Sequence, residues 1–132
     1  MFMQSIINIY GSAGYDTLIG DSQGNKLDGK AGNDLINGKD GADTLLGSAG
    51  NDTFVSTSAA DGSDMIDGGD DSDLIDYSAI SNSITVALAE DGSTATLTVA
   101  SGDNDIILNI ENVSGSSVAD YIIGNSKDNT LI

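Results

Sequence analysis

The sequence predicts an all-β fold, a parallel β-roll built from short repeats, and three observations lead to that prediction. A motif of nine residues recurs from Gly11 onward, and each of its first five copies opens on a glycine and carries one large apolar residue. From residue 77 the chain instead alternates apolar and polar residues, as half-buried strands do. Glycine occurs 17 times and proline is absent, which suits closely spaced tight turns.

Read in nines from Gly11, the chain gives GSAGYDTLI, GDSQGNKLD, GKAGNDLIN, GKDGADTLL and GSAGNDTFV. After Val55 the frame slips by three residues, and two further units then resume the pattern. The sixth position of the seven units holds a carboxylate or its amide: Asp16, Asn25, Asp34, Asp43, Asp52, Asp64 and Asp73. The eighth position holds an apolar side chain: Leu18, Leu27, Ile36, Leu45, Phe54, Ile66 and Ile75.

A period of nine is neither helical nor that of a simple strand. A six-residue turn followed by a three-residue strand accounts for it, because only the middle residue of such a strand faces inward. Two units then complete one coil of about 18 residues, and the strands stack into two parallel sheets with the apolar residues between them. We expect the first and fourth glycines of each unit to adopt positive φ angles.

The region after the repeats predicts a β-hairpin or meander that covers the open end of the roll. Ile84, Val86 and Leu88 alternate before an Asp-Gly turn, and a second strand follows it. In the third predicted strand the alternating residues are Ile106, Leu108 and Ile110. The end of the chain then repeats its beginning, since Asp120 and Asn129 each lie 104 residues after Asp16 and Asn25. The predicted division is a lead-in strand (1–10), the roll (11–76), the hairpin/meander cap (77–113) and the start of a second roll (114–132).

Charge and composition exclude several classes of function. The chain carries 21 acidic residues against four basic ones, a net charge of −17, so nucleic acid and anionic membrane surfaces are poor partners. Without histidine or cysteine, neither a zinc site nor a His-based catalytic triad can form. No apolar run is long enough for a membrane span, and the opening residues do not read as a secretory signal peptide.

The spacing of the carboxylates predicts where cations bind. Alternate units lie on the same edge of the roll, one coil apart, or about 4.8 Å between strands. The first edge then stacks Asp16, Asp34, Asp52 and Asp73, and the second edge stacks Asn25, Asp43 and Asp64. Carboxylates this close repel one another unless a cation lies between them. Ca²⁺ is suited to this role, because it takes six to eight oxygen ligands from carboxylates and carbonyls.

The nonapeptide G-G-x-G-x-D-x-U-x resembles the RTX, or haemolysin-type, calcium-binding repeat. The resemblance covers residues 11–76 closely and residues 109–132 more loosely. It implies a right-handed parallel β-roll with calcium between successive coils, in a protein exported by type I secretion to the outside of a Gram-negative bacterium.

The resemblance also implies a ligand set for each of five sites, holding three to five calcium ions. The earlier unit gives the carbonyls of its first and third residues, the later unit those of its second and fourth, and both sixth-position side chains complete the shell. On the first edge these are Gly11, Ala13, Lys30, Gly32 with Asp16 and Asp34; Gly29, Ala31, Ser48, Gly50 with Asp34 and Asp52; and Gly47, Ala49, Gly69, Asp71 with Asp52 and Asp73. On the second edge they are Gly20, Ser22, Lys39, Gly41 with Asn25 and Asp43, and Gly38, Asp40, Gly62 with Asp43 and Asp64.

The chain departs from the repeat at several of these positions. Gln23 replaces a fourth-position glycine and Asn25 a carboxylate, so we expect the Asn25/Asp43 site to be weak or empty. Asp71 takes another fourth position, and the three-residue slip before Asp64 makes the geometry of the two late sites less regular.

These patterns favour a non-enzymatic module that folds when it binds calcium outside the cell, as a spacer or secretion and folding aid of a larger adhesin, toxin or exoenzyme. A surface- or carbohydrate-binding module is one alternative, although the seventh positions form no regular threonine array. An accessory region of a polysaccharide-modifying enzyme is another. We also expect end-to-end self-association through the open β-edge at Leu131–Ile132.

Overall fold

A computed structural model describes residues 8–132; residues 1–7, most of the predicted lead-in strand, lie outside the described part. Within residues 8–132 the chain forms strands and turns with no helix. The strands are β1 (Asn8–Tyr10), β2 (Thr17–Ile19), β3 (Lys26–Ala31), β4 (Leu35–Asn37), β5 (Thr44–Ala49), β6 (Thr53–Val55), β7 (Met65–Asp70), β8 (Leu74–Asp76), β9 (Ile84–Ala87), β10 (Thr94–Val99), β11 (Asn104–Leu108), β12 (Asn112–Ser114) and β13 (Tyr121–Ile123).

The strands form two sheets, as the nine-residue period predicts. One has the order β1-β3-β5-β7-β11-β10-β9-β13, and the other has the order β12-β8-β6-β4-β2. Consecutive units therefore alternate between the sheets, and each pairs in parallel with the unit one coil away. The coil length is 18 residues where Lys26 pairs with Thr44 and 21 residues where Thr44 pairs with Met65. The three residues of the slip thus lengthen one coil and leave the register of the strands intact.

In the roll, the core lies between the two sheets and is formed by the eighth-position side chains. Leu18, Leu27, Ile36, Leu45, Phe54, Ile66 and Ile75 are all buried. The strands of the five-stranded sheet are three residues long with only the middle residue buried in β2, β4, β6 and β8, as alternation of side chains requires. Strands β3, β5 and β7 are longer than expected, six residues each, because pairing continues into the turn.

The region after the roll is a three-stranded meander inserted into the larger sheet. Its last strand, β11, pairs in parallel with β7, whereas β10 pairs antiparallel with both β11 and β9. Strand β13 pairs in parallel with β9 and is the last strand of the larger sheet. The five-stranded sheet has no such insertion, because β12 pairs directly with β8. The meander thus occupies the end of the first roll and connects it to the returning repeat sequence.

One prediction about the meander is wrong. The alternation expected through Ile106 and Leu108 places them on the inner face, but Ile107 is the buried residue and Ile106 is 49% exposed. Four of the six residues from Asp105 to Ile110 are apolar, so the sequence does not fix which of them face inward. Pairing of Ile107 with the buried Ile66 fixes the phase instead.

Candidate metal centre

The sixth-position residues form a hydrogen-bonded ladder along each edge of the roll. On the first edge the backbone N–H of Asp16 donates to Oδ1 of Asp34 at 2.8 Å, and the same bond recurs one coil later between Asp34 and Asp52 at 2.7 Å. Asp52 in turn donates to Asp73 at 2.8 Å. Each carboxylate is thereby fixed by the turn of the neighbouring coil.

The second edge repeats this geometry. The N–H of Asn25 donates to Asp43 at 2.7 Å, and that of Asp43 donates to Asp64 at 2.9 Å. The pairs that span the slip have the same hydrogen bond as the others, because the three added residues lie before the turn. The irregularity expected at the two late sites is therefore absent from this hydrogen-bond ladder.

In four of these carboxylates the second oxygen has no hydrogen-bond partner in the described part of the chain. Oδ2 is buried and without a hydrogen bond in Asp34, Asp43, Asp52 and Asp73. A buried anionic oxygen without a partner is costly, since burial removes the water that would otherwise solvate it. Four such atoms at equivalent positions therefore indicate a cation ligand. Hydrogen bonding cannot satisfy them within residues 8–132.

The glycine at the first position of each unit makes room for that oxygen. A Cβ on Gly47 would collide with Oδ2 of Asp52 and with the carbonyl oxygen of Gly68, one coil away. The same collision with the unit's own carboxylate arises at Gly29 and Gly38. These glycines do not have positive φ angles, so the prediction made for them is wrong. They are required for space, where a carboxylate and carbonyls approach the main chain.

Positive φ angles occur instead at the second and fourth positions, and only from the third unit onward. The second-position residues with this conformation are Lys30, Lys39, Ser48 and Gly69. The fourth-position residues are Gly32, Gly41, Gly50, Gly62 and Asp71. Neither Gly14 nor Gln23 in the first two units shares it. Only the later units lie against the turn of an earlier coil, so the left-handed conformation accompanies stacking.

The turns of the roll bring many carboxylates close together, with few basic side chains beside them. Burial, together with repulsion from Asp16, raises the pKa of Asp34 above its usual value. Burial and repulsion from neighbouring carboxylates raise the pKa of Asp64 to about 8 and that of Asp73 to about 7. A cation between the carboxylates would oppose these shifts, because it favours the ionised form.

The residues predicted to bind calcium come together in the turns, although no three carboxylates within residues 8–132 converge closely enough to hold a metal ion by themselves. Main-chain carbonyls would have to complete the shell. The Lys30 side chain points away to the Asp28 carboxylate at 2.5 Å, so its ammonium group does not take the place of an ion. Asn25 lies at its expected place on the second edge, hydrogen-bonded to Asp43.

Sequence reasoning missed two residues that extend the ladders beyond the nonapeptides. The N–H of Asp64 donates to Asp105 Oδ1 at 2.9 Å, and that of Asp73 donates to Glu111 Oε2 at 3.0 Å. Both carboxylates are buried. A signal was present, because each lies two residues before a buried apolar side chain, Ile107 or Val113, as in the repeats. Because the glycines of the motif are missing there, this short pattern did not distinguish the two residues from other acidic residues of the chain.

The sequence matches the family of the RTX calcium-binding nonapeptide repeat (four copies) over residues 8–36, 19–54 and 58–79. The chain belongs to this RTX family. It is a calcium-binding repeat module with the β-roll fold, and calcium fits the unpartnered carboxylate oxygens described above.

Among the solved structures that are similar to most of this RTX chain is the AlgE6R3 subunit from the Azotobacter vinelandii mannuronan C5-epimerase. It is 28% identical with a TM-score of 0.58, and the match covers 80% of this chain and 72% of that one. No curated protein matches the chain. Among residues 8–132 there is no helix long and apolar enough to cross a membrane.

Proposed function

We propose that this RTX module folds when calcium binds, and serves as a structural or folding segment of a larger secreted protein. The observation that carries the proposal is the set of buried, unpartnered Oδ2 atoms on Asp34, Asp43, Asp52 and Asp73. These atoms make the metal-free fold costly, so ion binding and folding are coupled. The chain itself carries no catalytic role in this proposal.

The proposed ligands are those of the five sites given by the repeat. Four of the five pairs have two carboxylates, and the fifth, Asn25/Asp43, has one and binds most weakly. What supports the main-chain ligands is the left-handed conformation at the fourth position of every unit that stacks on an earlier one, and at the second position of all of these units except that of Ala60. We therefore propose four strong sites and one weak site, within the expected three to five ions.

The free energy of calcium binding suits a module that is unfolded in the cytosol and folded outside the cell. Each bound ion stabilises the fold by about 1.4 kcal/mol when free calcium is roughly tenfold above Kd. Several such ions together approach the whole stability of a small domain. Extracellular modules typically bind calcium at millimolar levels, whereas the cytosol holds far less. With a net charge of −17, the metal-free chain would be expanded and easy to export, which supports type I secretion.

Circular dichroism tests this function directly. In EDTA the chain should give a coil spectrum, and millimolar Ca²⁺ should convert it to a β spectrum. Mg²⁺ at the same concentration should fail, because its small octahedral shell does not fit irregular, carbonyl-rich turns. A β spectrum in EDTA would rule out coupled folding, and equal folding in Mg²⁺ would show that charge screening alone is sufficient.

A second candidate is an accessory module of a polysaccharide-modifying enzyme. The similarity to a subunit of a mannuronan C5-epimerase favours it, since 80% of this chain matches that structure. Titration of the calcium-loaded chain with mannuronan oligomers would test it by calorimetry. Binding would support the accessory role, and its absence would leave the structural role alone.

A further inference from the structure

We propose a sixth calcium site, formed by Asp73 and Glu111, that joins the nonapeptide roll to the segment following the meander. The inference rests on the proposed function, because it requires that the ordinary repeat sites bind calcium. Its two carboxylates lie 38 residues apart in the chain but on neighbouring coils. No nonapeptide motif surrounds Glu111, so the repeat pattern alone does not assign this site.

The first argument is an unpartnered oxygen. Asp73 is fully buried, and its Oδ2 has no hydrogen-bond partner among the described residues. This Oδ2 lies beside Gly68, the first glycine of its own unit, and the carbonyl oxygen of Asn109 approaches the same glycine from the following coil. That coil is the one that contains Glu111.

The second argument is a match in geometry to a repeat site. A Cβ placed on Gly47 would meet Oδ2 of Asp52 and the carbonyl oxygen of Gly68. A Cβ placed on Gly68 would likewise meet Oδ2 of Asp73 and the carbonyl oxygen of Asn109. The space between a carboxylate and the next coil's carbonyl is therefore the same at both places.

The third argument is continuity of the ladder. Asp52 donates its N–H to Asp73 at 2.8 Å, and Asp73 donates to Glu111 Oε2 at 3.0 Å. The turn that carries Glu111 is three residues shorter than a repeat turn, and the longer glutamate side chain spans the difference. The other oxygen, Oε1, lies 3.6 Å from the Lys127 ammonium group, so it is only partly neutralised.

Access and charge also suit a cation. An open pocket of about 310 Å³ adjoins the position, lined by Gly69, Asp70, Asp71, Asp91, Asn109 and Lys127. Three of these residues are acidic, and one is basic. Lys127 pairs with Asp91 at 2.6 Å and lies farther from Glu111, at 3.6 Å, so Asp91 neutralises more of its charge.

The equivalent position on the second edge, between Asp64 and Asp105, has different hydrogen-bond partners. There Asp64 donates to Asp105, but Asp105 Oδ2 accepts a hydrogen bond from the buried hydroxyl of Tyr77. A neutral donor thus satisfies this Asp105 oxygen, whereas the corresponding oxygen of Glu111, Oε1, has the Lys127 ammonium group at 3.6 Å. We therefore assign a calcium site to Asp73/Glu111 and none to Asp64/Asp105.

The experiment counts the ions bound to the whole chain by native mass spectrometry and by calorimetric titration with Ca²⁺. Glu111→Gln keeps the acceptor for the Asp73 N–H but removes the charge, and it should bind one ion fewer than the natural chain. Asp105→Asn is the matched control, buried at the equivalent end of the second-edge ladder, and should bind as many ions as the natural chain.

The outcomes separate this site from the proposed function. If the natural chain binds no calcium, the proposed function itself fails. If it binds calcium and Glu111→Gln binds the same number of ions, only the sixth site is overturned. Should Glu111→Gln not fold, Lys127→Met decides, because removing the competing ammonium group should lower the calcium concentration needed for the last ion. An unchanged or raised concentration would overturn the site.

Discussion

The roll and the meander share one hydrophobic core, but their turns are held together differently. In the roll, buried carboxylates stack coil upon coil with Oδ2 unpartnered, as at Asp34 and Asp52. In the meander, antiparallel strands pair through ordinary hydrogen bonds, and its buried carboxylate, Asp105, has a hydroxyl donor in Tyr77. The roll therefore presents a column of unpartnered carboxylate oxygens to calcium, whereas the described part of the meander has a single isolated one, Oδ2 of Asp103.

The difference follows from how the strands are connected. Parallel coils bring equivalent residues of every repeat to the same edge, so one acidic position becomes a column of like charges. Antiparallel strands reverse direction at each turn, so no such column forms. The glycines follow the same division, because first-position glycines of the roll such as Gly29 and Gly47 give space to carboxylates, whereas Gly92 and Gly102 in the meander have open space around them.

The largest expected difference in unfolding free energy between the roll and the meander comes from adding one methyl group in each region. Gly47→Ala should cost about 3 kcal/mol of unfolding free energy, because its Cβ would collide with the Asp52 carboxylate and the Gly68 carbonyl. Gly102→Ala in the meander should cost about 1–2 kcal/mol, from its positive φ alone. Urea denaturation in saturating calcium measures both.

Gly14→Ala is the control, since Gly14 has neither a positive φ nor an atom within 4 Å of its Cβ position. It should be neutral. If Gly47→Ala were no worse than Gly102→Ala, the close packing around the roll carboxylates would not matter for stability.

A contrast between the two edges of the roll should be next in size. Asp34 takes part in two proposed sites, so Asp34→Asn should raise the calcium concentration at half-folding several-fold. Asn25→Asp supplies the carboxylate that the second edge lacks, and should lower that concentration. Circular dichroism during calcium titration measures both changes. Shifts in the same direction would contradict the assignment of ligands to the two edges.

The repeat period predicted the roll well, because one buried residue every nine positions leaves only one way to stack the strands. Phe54 and Ile75 could be placed in the core from sequence alone. The period could not predict Asp105 and Glu111, which join the ladders through pairing between distant segments. The sequence also could not show why residue 47 is a glycine, since a requirement for space and a requirement for positive φ both select glycine.

Acid should partly replace calcium in the roll. In the metal-free fold the pKa of Asp64 is raised to about 8 and that of Asp73 to about 7, mainly by burial. In the unfolded chain the pKa of each of these carboxyl groups would be about 3.9. Their contribution to stability is therefore full below about pH 4 and is lost as the pH rises through 7 and 8.

In EDTA, the folded fraction seen by circular dichroism should thus increase as the pH falls from 8 to 5. Asp73→Asn should flatten this profile below about pH 7, because the amide has no proton to lose, and should leave the part above pH 7 to Asp64. A folded fraction that increased with pH would show that the carboxylates are not penalised in the metal-free roll.

The smallest expected effect tests the meander's independence from calcium. Tyr77→Phe removes the hydroxyl that donates to Asp105, and should cost about 1–2 kcal/mol of unfolding free energy. Tyr15→Phe, at an exposed position, is the control and should be neutral. Because the tyrosine and not an ion satisfies Asp105, the cost should be equal at low and at saturating calcium among concentrations that keep both chains folded. A cost that disappeared as calcium increased would mean that an ion can take over from Tyr77, and the meander would then depend on calcium as the roll does.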